Sequence, residues 1–133
     1  AFVARLKGKK ILVKGNHDDV SDYRYKQLFD EICDYKEIHD SFEGKSYNLV
    51  LCHYPIFSWK GMGKGTILLY GHTHSNKEDA YYLIALIFSN PFLDENGSHH
   101  TKGFENIRAI SVECMKDYMN YEPRTLKELL NNF

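Results

Sequence analysis

Residues 11–18 read Ile-Leu-Val-Lys-Gly-Asn-His-Asp. A short β-branched and apolar run that breaks at a glycine is the pattern of a buried strand ending in a turn. The same pattern returns twice: Asn48 to Cys52 runs into His53-Tyr54-Pro55, and Thr66 to Tyr70 runs into Gly71-His72-Thr73-His74. Three apolar strands, each closed by a histidine-bearing turn, predict an α/β fold with its chemistry at one edge. In open α/β sheets the loops converge outside the carboxyl ends of strands, and ligands gather there.

The remaining elements fit around these strands. Upstream, Phe2 and Leu6 lie four apart ahead of Lys7 and Gly8, like the last turn of a helix with its C′ glycine. A helix that opens at Ala1 without a capping residue leads to the expectation that the chain was cut from something longer. From Ser21 to Ile32, Tyr25, Leu28, Phe29 and Ile32 fall at i, i+3, i+4 and i+7, the stripe of an amphipathic helix. Tyr35 to Phe42 and Ser46 to Cys52 flank Glu43-Gly44-Lys45 and predict a hairpin. Residues 56–65 are a glycine-rich loop, and Asp79 to Phe92 fits either a short helix or a strand. Asp94 to Gly103 is a polar loop, Asn106 to Cys114 alternates as a strand does, and no internal repeat is present. Thr125 with Glu128 forms a capping box for a final helix buried through Leu126, Leu129 and Leu130.

Composition removes several function classes. The 133 residues suit one domain, 1–133, and 43% apolar content supplies a core and excludes general disorder. A net charge of −1 gives no global field for nucleic acid or an anionic membrane. A nuclease would carry a basic track with interleaved aromatics, which the chain lacks. The longest apolar run, Ala80 to Phe88, is far short of the ~20 residues that span a bilayer. The first residues place their basic side chains after the apolar ones with no small-residue cleavage site following, so they are not expected to act as a secretory signal. Cys33, Cys52 and Cys114 form no C-x-x-C pair or disulfide framework, so a reducing, cytoplasmic setting is expected.

The three turns would bring Asn16, His17, His53, His72 and His74 to one edge. Neutral imidazoles with an amide oxygen suit Mn, Fe, Ni or Zn better than Ca or Mg, so the cluster predicts a metal site. His72 and His74 are two apart and point the same way in an extended segment, while Gly71 permits the turn. The other candidates carry less. His99 and His100 read as an exposed loop pair and His39 as structural. Trp59, near Phe57, is open between a pocket wall for a nucleoside or aryl group and a cap on the core. Lys60 and Lys64 read as solvated, and the run 80–92, with Tyr81 and Tyr82, as core or an oligomer contact.

The ordered set G-N-H-D, strand-end His and G-H-T-H resembles the calcineurin-like metallophosphoesterase superfamily over Lys9 to His74. The likeness continues more weakly through the last strand and Tyr121-Glu122-Pro123-Arg124-Thr125-Leu126, which is similar to the tail of small single-domain bacterial members. The resemblance implies an αββα four-layer sandwich, a β-sandwich flanked by helices. It also implies hydrolysis of a phosphomonoester or phosphodiester, a small phosphoester substrate, and two divalent ions, manganese first with iron, zinc or nickel as alternatives. By matching position, Asn16, His53 and His72 would bind one ion and His74 the other. His17 would be the catalytic histidine near the leaving-group oxygen, and Asp18 would orient it.

The superfamily's first two motifs, D-x-H and G-D-x-x-D, have no counterpart in this chain. They would lie ahead of residues 11–13 on a βαβ-sized segment of roughly 40 residues. Without them the expectation for this chain alone is one ion or fewer. The rival function is then a non-catalytic metal-binding or protein-interaction domain, or an inactive fragment. A sheet edge left open where those strands would sit invites homo-oligomer formation.

Overall fold

The computed structural model describes residues 3–89, 92–93, 99–100 and 107–131. Val3–Arg5 form a 3₁₀ turn rather than the end of an α-helix, and Gly8 follows at φ +92°, a conformation open to glycine because it has no Cβ. Strand β1, Ile11–Val13, stands where the sequence puts it, but it is only half-buried, with Ile11 39% exposed.

Helix α1, Tyr23–Leu28, is capped by Asp22, whose carboxylate accepts the Arg24 N–H. It ends before Ile32, shorter than the stripe of apolar residues predicts. The cause is Asp30, whose carboxylate accepts the Lys10 N–H at 2.7 Å while its own N–H donates to the Lys10 carbonyl at 2.7 Å. That exchange starts a second strand, β2, Glu31–Cys33, parallel to β1 with Leu12 opposite Ile32. Ile32 is therefore a strand residue, and its i+7 spacing from Tyr25 is coincidental with a helical period.

The main sheet has the order β3-β4-β5-β8. Strands β3, Tyr35–Phe42, and β4, Lys45–Cys52, form the predicted hairpin. Its two-residue turn places Glu43 at φ 51° and Gly44 at φ 75°, the paired positive φ values of a type I′ turn, whose twist matches the strands. Strand β5, Ile67–Tyr70, lies parallel to β4 and is buried at every position. Helix α2, Asn76–Ser89, settles the ambiguous 79–92 segment as helix over most of its length. Short strands β6, Phe92–Leu93, and β7, His99–His100, pair antiparallel. The rest of the polar loop expected at 94–103 lies outside the described residues. Strand β8, Arg108–Ser111, is parallel to β5 and shorter than the 106–114 run suggested. Helix α3, Leu126–Asn131, closes the chain on its capping box: the Thr125 N–H donates to Glu128 Oε2 at 2.7 Å, and the Glu128 N–H to Thr125 Oγ1 at 3.3 Å.

Both faces of the main sheet are covered, which is why β5 reads as a continuous apolar run. Leu49, Ile67, Leu69 and Ile110 pack against Met119 and against Leu126 and Leu129 of α3. Val50, Leu68 and Tyr70 pack on the other face against Trp59 and against Tyr82 and Leu86 of α2. Trp59 is a core cap rather than a pocket wall: it is buried, and its indole N–H donates to the Thr66 carbonyl at 2.9 Å. Among the described residues no helix is long and apolar enough to cross a membrane.

Candidate metal centre

Parallel pairing in register brings the functional turns together. Cys52 lies opposite Tyr70, and Tyr70 opposite Ser111, so β4, β5 and β8 stop in line. His53, Gly71-His72 and Val112-Glu113 therefore leave the sheet at one edge. The turn after β1 reaches the same edge from the other strand pair.

That approach depends on Gly15. A Cβ on it would lie 2.7 Å from both Nδ1 and Cε1 of His53, so no other residue lets the turn come this close to the ring. Asp18 holds the turn shut, accepting the Gly15 N–H at 2.7 Å and the Tyr25 hydroxyl at 3.4 Å. Among the described residues no hydrogen bond joins Asp18 to His17; Asp18 meets the turn at the Gly15 N–H. Gly15→Ala is expected to push the His53 ring aside, at a cost of about 1–3 kcal/mol for overpacking. Divalent-ion affinity should fall with it, by roughly 10-fold or more; urea denaturation of the variant checks the first effect and calorimetric titration the second.

Three donor atoms converge at the edge. His53 Nε2 lies 2.8 Å from Asn16 Oδ1 and 3.2 Å from His72 Nδ1, and His72 Nδ1 lies 3.3 Å from Asn16 Oδ1. Two imidazole N–H groups can serve this triangle by both donating to the two lone pairs of Asn16 Oδ1, which leaves the side between the two histidines without a bond of its own. A cation uses all three lone pairs at once. The nearest point equidistant from the three atoms is about 1.8 Å from each, and a position about 1 Å out of their plane stands at the ~2.0–2.2 Å bond length of first-row ions to nitrogen and oxygen. The donor set fits an ion of the borderline class.

Burial, and then the nearby His72, push the His53 pKa below the ordinary imidazole value. The neutral imidazole that a metal requires is thereby favoured. The sign for stability follows: the contribution of His53 is complete above the ordinary value near ~6.5 and is lost as pH falls through the lowered folded value. NMR titration of the metal-free protein should find His53 protonating below that ordinary value, with the denaturation midpoint dropping over the same window.

Of the six residues singled out from sequence, Asn16, His53 and His72 meet. His74 is exposed, its ring 6.3 Å from that of His72, and its backbone N–H donates to Glu78 Oε2 at 2.6 Å. His17 is exposed on the Gly15–Asp18 turn. Among the described residues no three His, Cys, Asp or Glu side chains form a cluster able to hold an ion, so the centre is two imidazoles and one amide. His39 has the structural role expected of it, with Nδ1 2.8 Å from Asn48 Oδ1 across the hairpin.

Two features escaped the sequence reading. Tyr54 sets its ring against both imidazoles, 5.0 Å from His53 and 4.8 Å from His72, and is 45% exposed. Its position directly after a strand-end histidine was the available signal. Glu113 follows β8 at the same edge and raises the pKa of His53 against the larger opposing effects. With His53 and Arg124 it lines a cavity of about 390 Å³ whose walls include Val13, Leu51 and Met119.

No protein-family model matches this chain, and no curated protein matches it. Among solved structures it is similar to the crystal structure of the protein of unknown function AQ665 from Aquifex aeolicus. The identity is 24% and the TM-score 0.56, over 98% of this chain and 64% of that one. The likeness is one of fold, and this chain spans a little under two thirds of that chain's length.

Proposed function

We propose that this chain belongs to a metal-dependent phosphoesterase that hydrolyses a phosphomonoester or phosphodiester. The observation that carries the reading is the convergence of Asn16 Oδ1, His53 Nε2 and His72 Nδ1 on one point. The αββα four-layer architecture belongs to the same proposal. Its support is that β1, with Val13, and the main sheet, with Leu51 and Leu69, face each other across one cavity while helices flank the sheet.

In this reading Asn16, His53 and His72 hold one divalent ion, manganese first, and His74 stands at the rim toward a second. A bound ion supplies Lewis acidity to a phosphoryl oxygen and lowers the pKa of its water. His17, exposed beside the ligand Asn16, gives a proton to the departing alkoxide. Asp18 fixes the turn that aims His17, and the Tyr54 ring walls the approach to the phosphoryl group. A second reading, a non-catalytic metal-binding or protein-interaction domain, is favoured by one observation: His74 stands apart from the converging donors.

Equilibrium dialysis with manganese, followed by turnover of an aryl phosphodiester, tests the proposal. One or more bound ions per chain with turnover is the expected result. A bound ion without turnover in any first-row metal selects the second reading. No binding of manganese, zinc or nickel overturns both metal readings.

A further inference from the structure

His72 sits in a strained turn. Its φ is +70°, and the Thr73 N–H donates to the Gly71 carbonyl at 2.8 Å across it. This is the γ-turn of positive φ, the rarer and more strained of the two γ-turn forms. A non-glycine residue stays in such a conformation only where its surroundings over-determine it.

On one side the Gly71 N–H donates to the His53 carbonyl at 2.9 Å. On the other side Thr73 is buried, and its hydroxyl donates to Asp79 Oδ1 at 2.5 Å. The same carboxylate accepts the Tyr70 hydroxyl at 3.1 Å and faces Lys116 Nζ at 2.5 Å. The Lys116 side chain is 4% exposed, and Asp79 is its ion-pair partner among the described residues. The ammonium meets the carboxylate as a charge contact rather than a well-directed hydrogen bond. One carboxylate on the first turn of α2 thus ties together the end of β5, the residue after His72 and the turn after β8.

We infer that Asp79 and Lys116 are positioning residues, a buried clamp that holds Thr73 and so keeps His72 in the strained turn that aims Nδ1 at Asn16 and His53. The inference rests on the ion-binding reading of those three donors for its purpose, although not for its geometry. Two charges buried together are costly to separate, so the clamp is closed or absent rather than graded. Groups that orient metal ligands from behind typically change affinity 10- to 100-fold when removed. Thr73 is also flanked by both histidines of G-H-T-H, so one anchor serves two side chains.

The test uses Thr73→Val, which keeps the shape and removes the hydroxyl, with Asp79→Asn as the stronger variant and Leu126→Ala as a core variant remote from the turn. Two readouts are needed. The first is amide hydrogen exchange at Thr73 in the metal-free protein, normalised to Leu68, which packs on the face away from Leu126. The second is manganese affinity. Thr73→Val should speed normalised exchange about 10-fold and weaken manganese binding roughly 10- to 100-fold. Leu126→Ala should change neither ratio. Unchanged exchange in Thr73→Val overturns the clamp, as does faster exchange with affinity intact. Faster exchange in a protein that binds no manganese even as wild type keeps the clamp and removes the ion-binding reading.

Discussion

Asp79→Asn alone is expected to destabilise the fold by about 3–5 kcal/mol, because it leaves the Lys116 ammonium buried without a counter-charge. Adding Lys116→Met should restore most of that loss, since two well-packed neutral side chains replace the pair without an orphaned charge. Urea denaturation is the measurement. The midpoint should fall sharply in the single variant and recover in the double, with the m-value unchanged. Equal losses in both variants would show that the pair contributes by packing alone. Lys116 is 4% exposed and Asp79 16%, which places the pair among interactions whose breaking is costly rather than among surface ion pairs of little weight.

On the proposed function, the second large effect separates holding an ion from using it. His53→Ala removes a donor common to the two shortest sides of the triangle. It is expected to weaken divalent-ion binding by more than about 100-fold and to remove any turnover with it. His17→Ala should leave ion affinity within about 2-fold but lower phosphodiester turnover roughly 10²- to 10⁴-fold, the usual share of a positioned proton donor. Calorimetry on both variants beside turnover of an aryl diester gives the four values. Loss of ion affinity in His17→Ala would move His17 from proton donor to ligand.

Much of the architecture was legible because local rules and tertiary context agreed. Glu43-Gly44 specified its turn, Thr125 and Glu128 their cap, and the unbroken apolar run of β5 its double-sided burial. The helix from Ser21 failed at Asp30, a residue of ordinary type whose carboxylate finds the Lys10 N–H 20 positions away. A pairing so distant in sequence has no local signature. Trp59 could not be assigned from sequence because a buried indole and a pocket wall have the same composition. The partner that decides it is the Thr66 carbonyl.

At the candidate site the histidine turns announced themselves by position at strand ends. The supports did not. Asp79 opens a stretch that the sequence leaves open between helix and strand, and nothing in the sequence marks Lys116. Only the tertiary contact between α2 and the turn after β8 turns them into a pair. Tyr54 stayed hidden for a related reason, since its contact with His72 crosses from one strand end to the next.

The register of the parallel sheet sets an order of assembly. The hairpin of β3 and β4 closes over two residues and can form early, whereas Leu49 meets Ile67, and Ile67 meets Arg108, only after progressively longer excursions of chain. Loop closure grows in entropic cost with length, and contacts far apart in sequence slow the search. The donor triangle is therefore expected to close late on the folding path, once β5 docks on the hairpin. Trp59, the single tryptophan, hydrogen-bonds to Thr66 at the entrance to β5. Its fluorescence in a stopped-flow refolding experiment would time the docking step that brings the two imidazoles together edge to face.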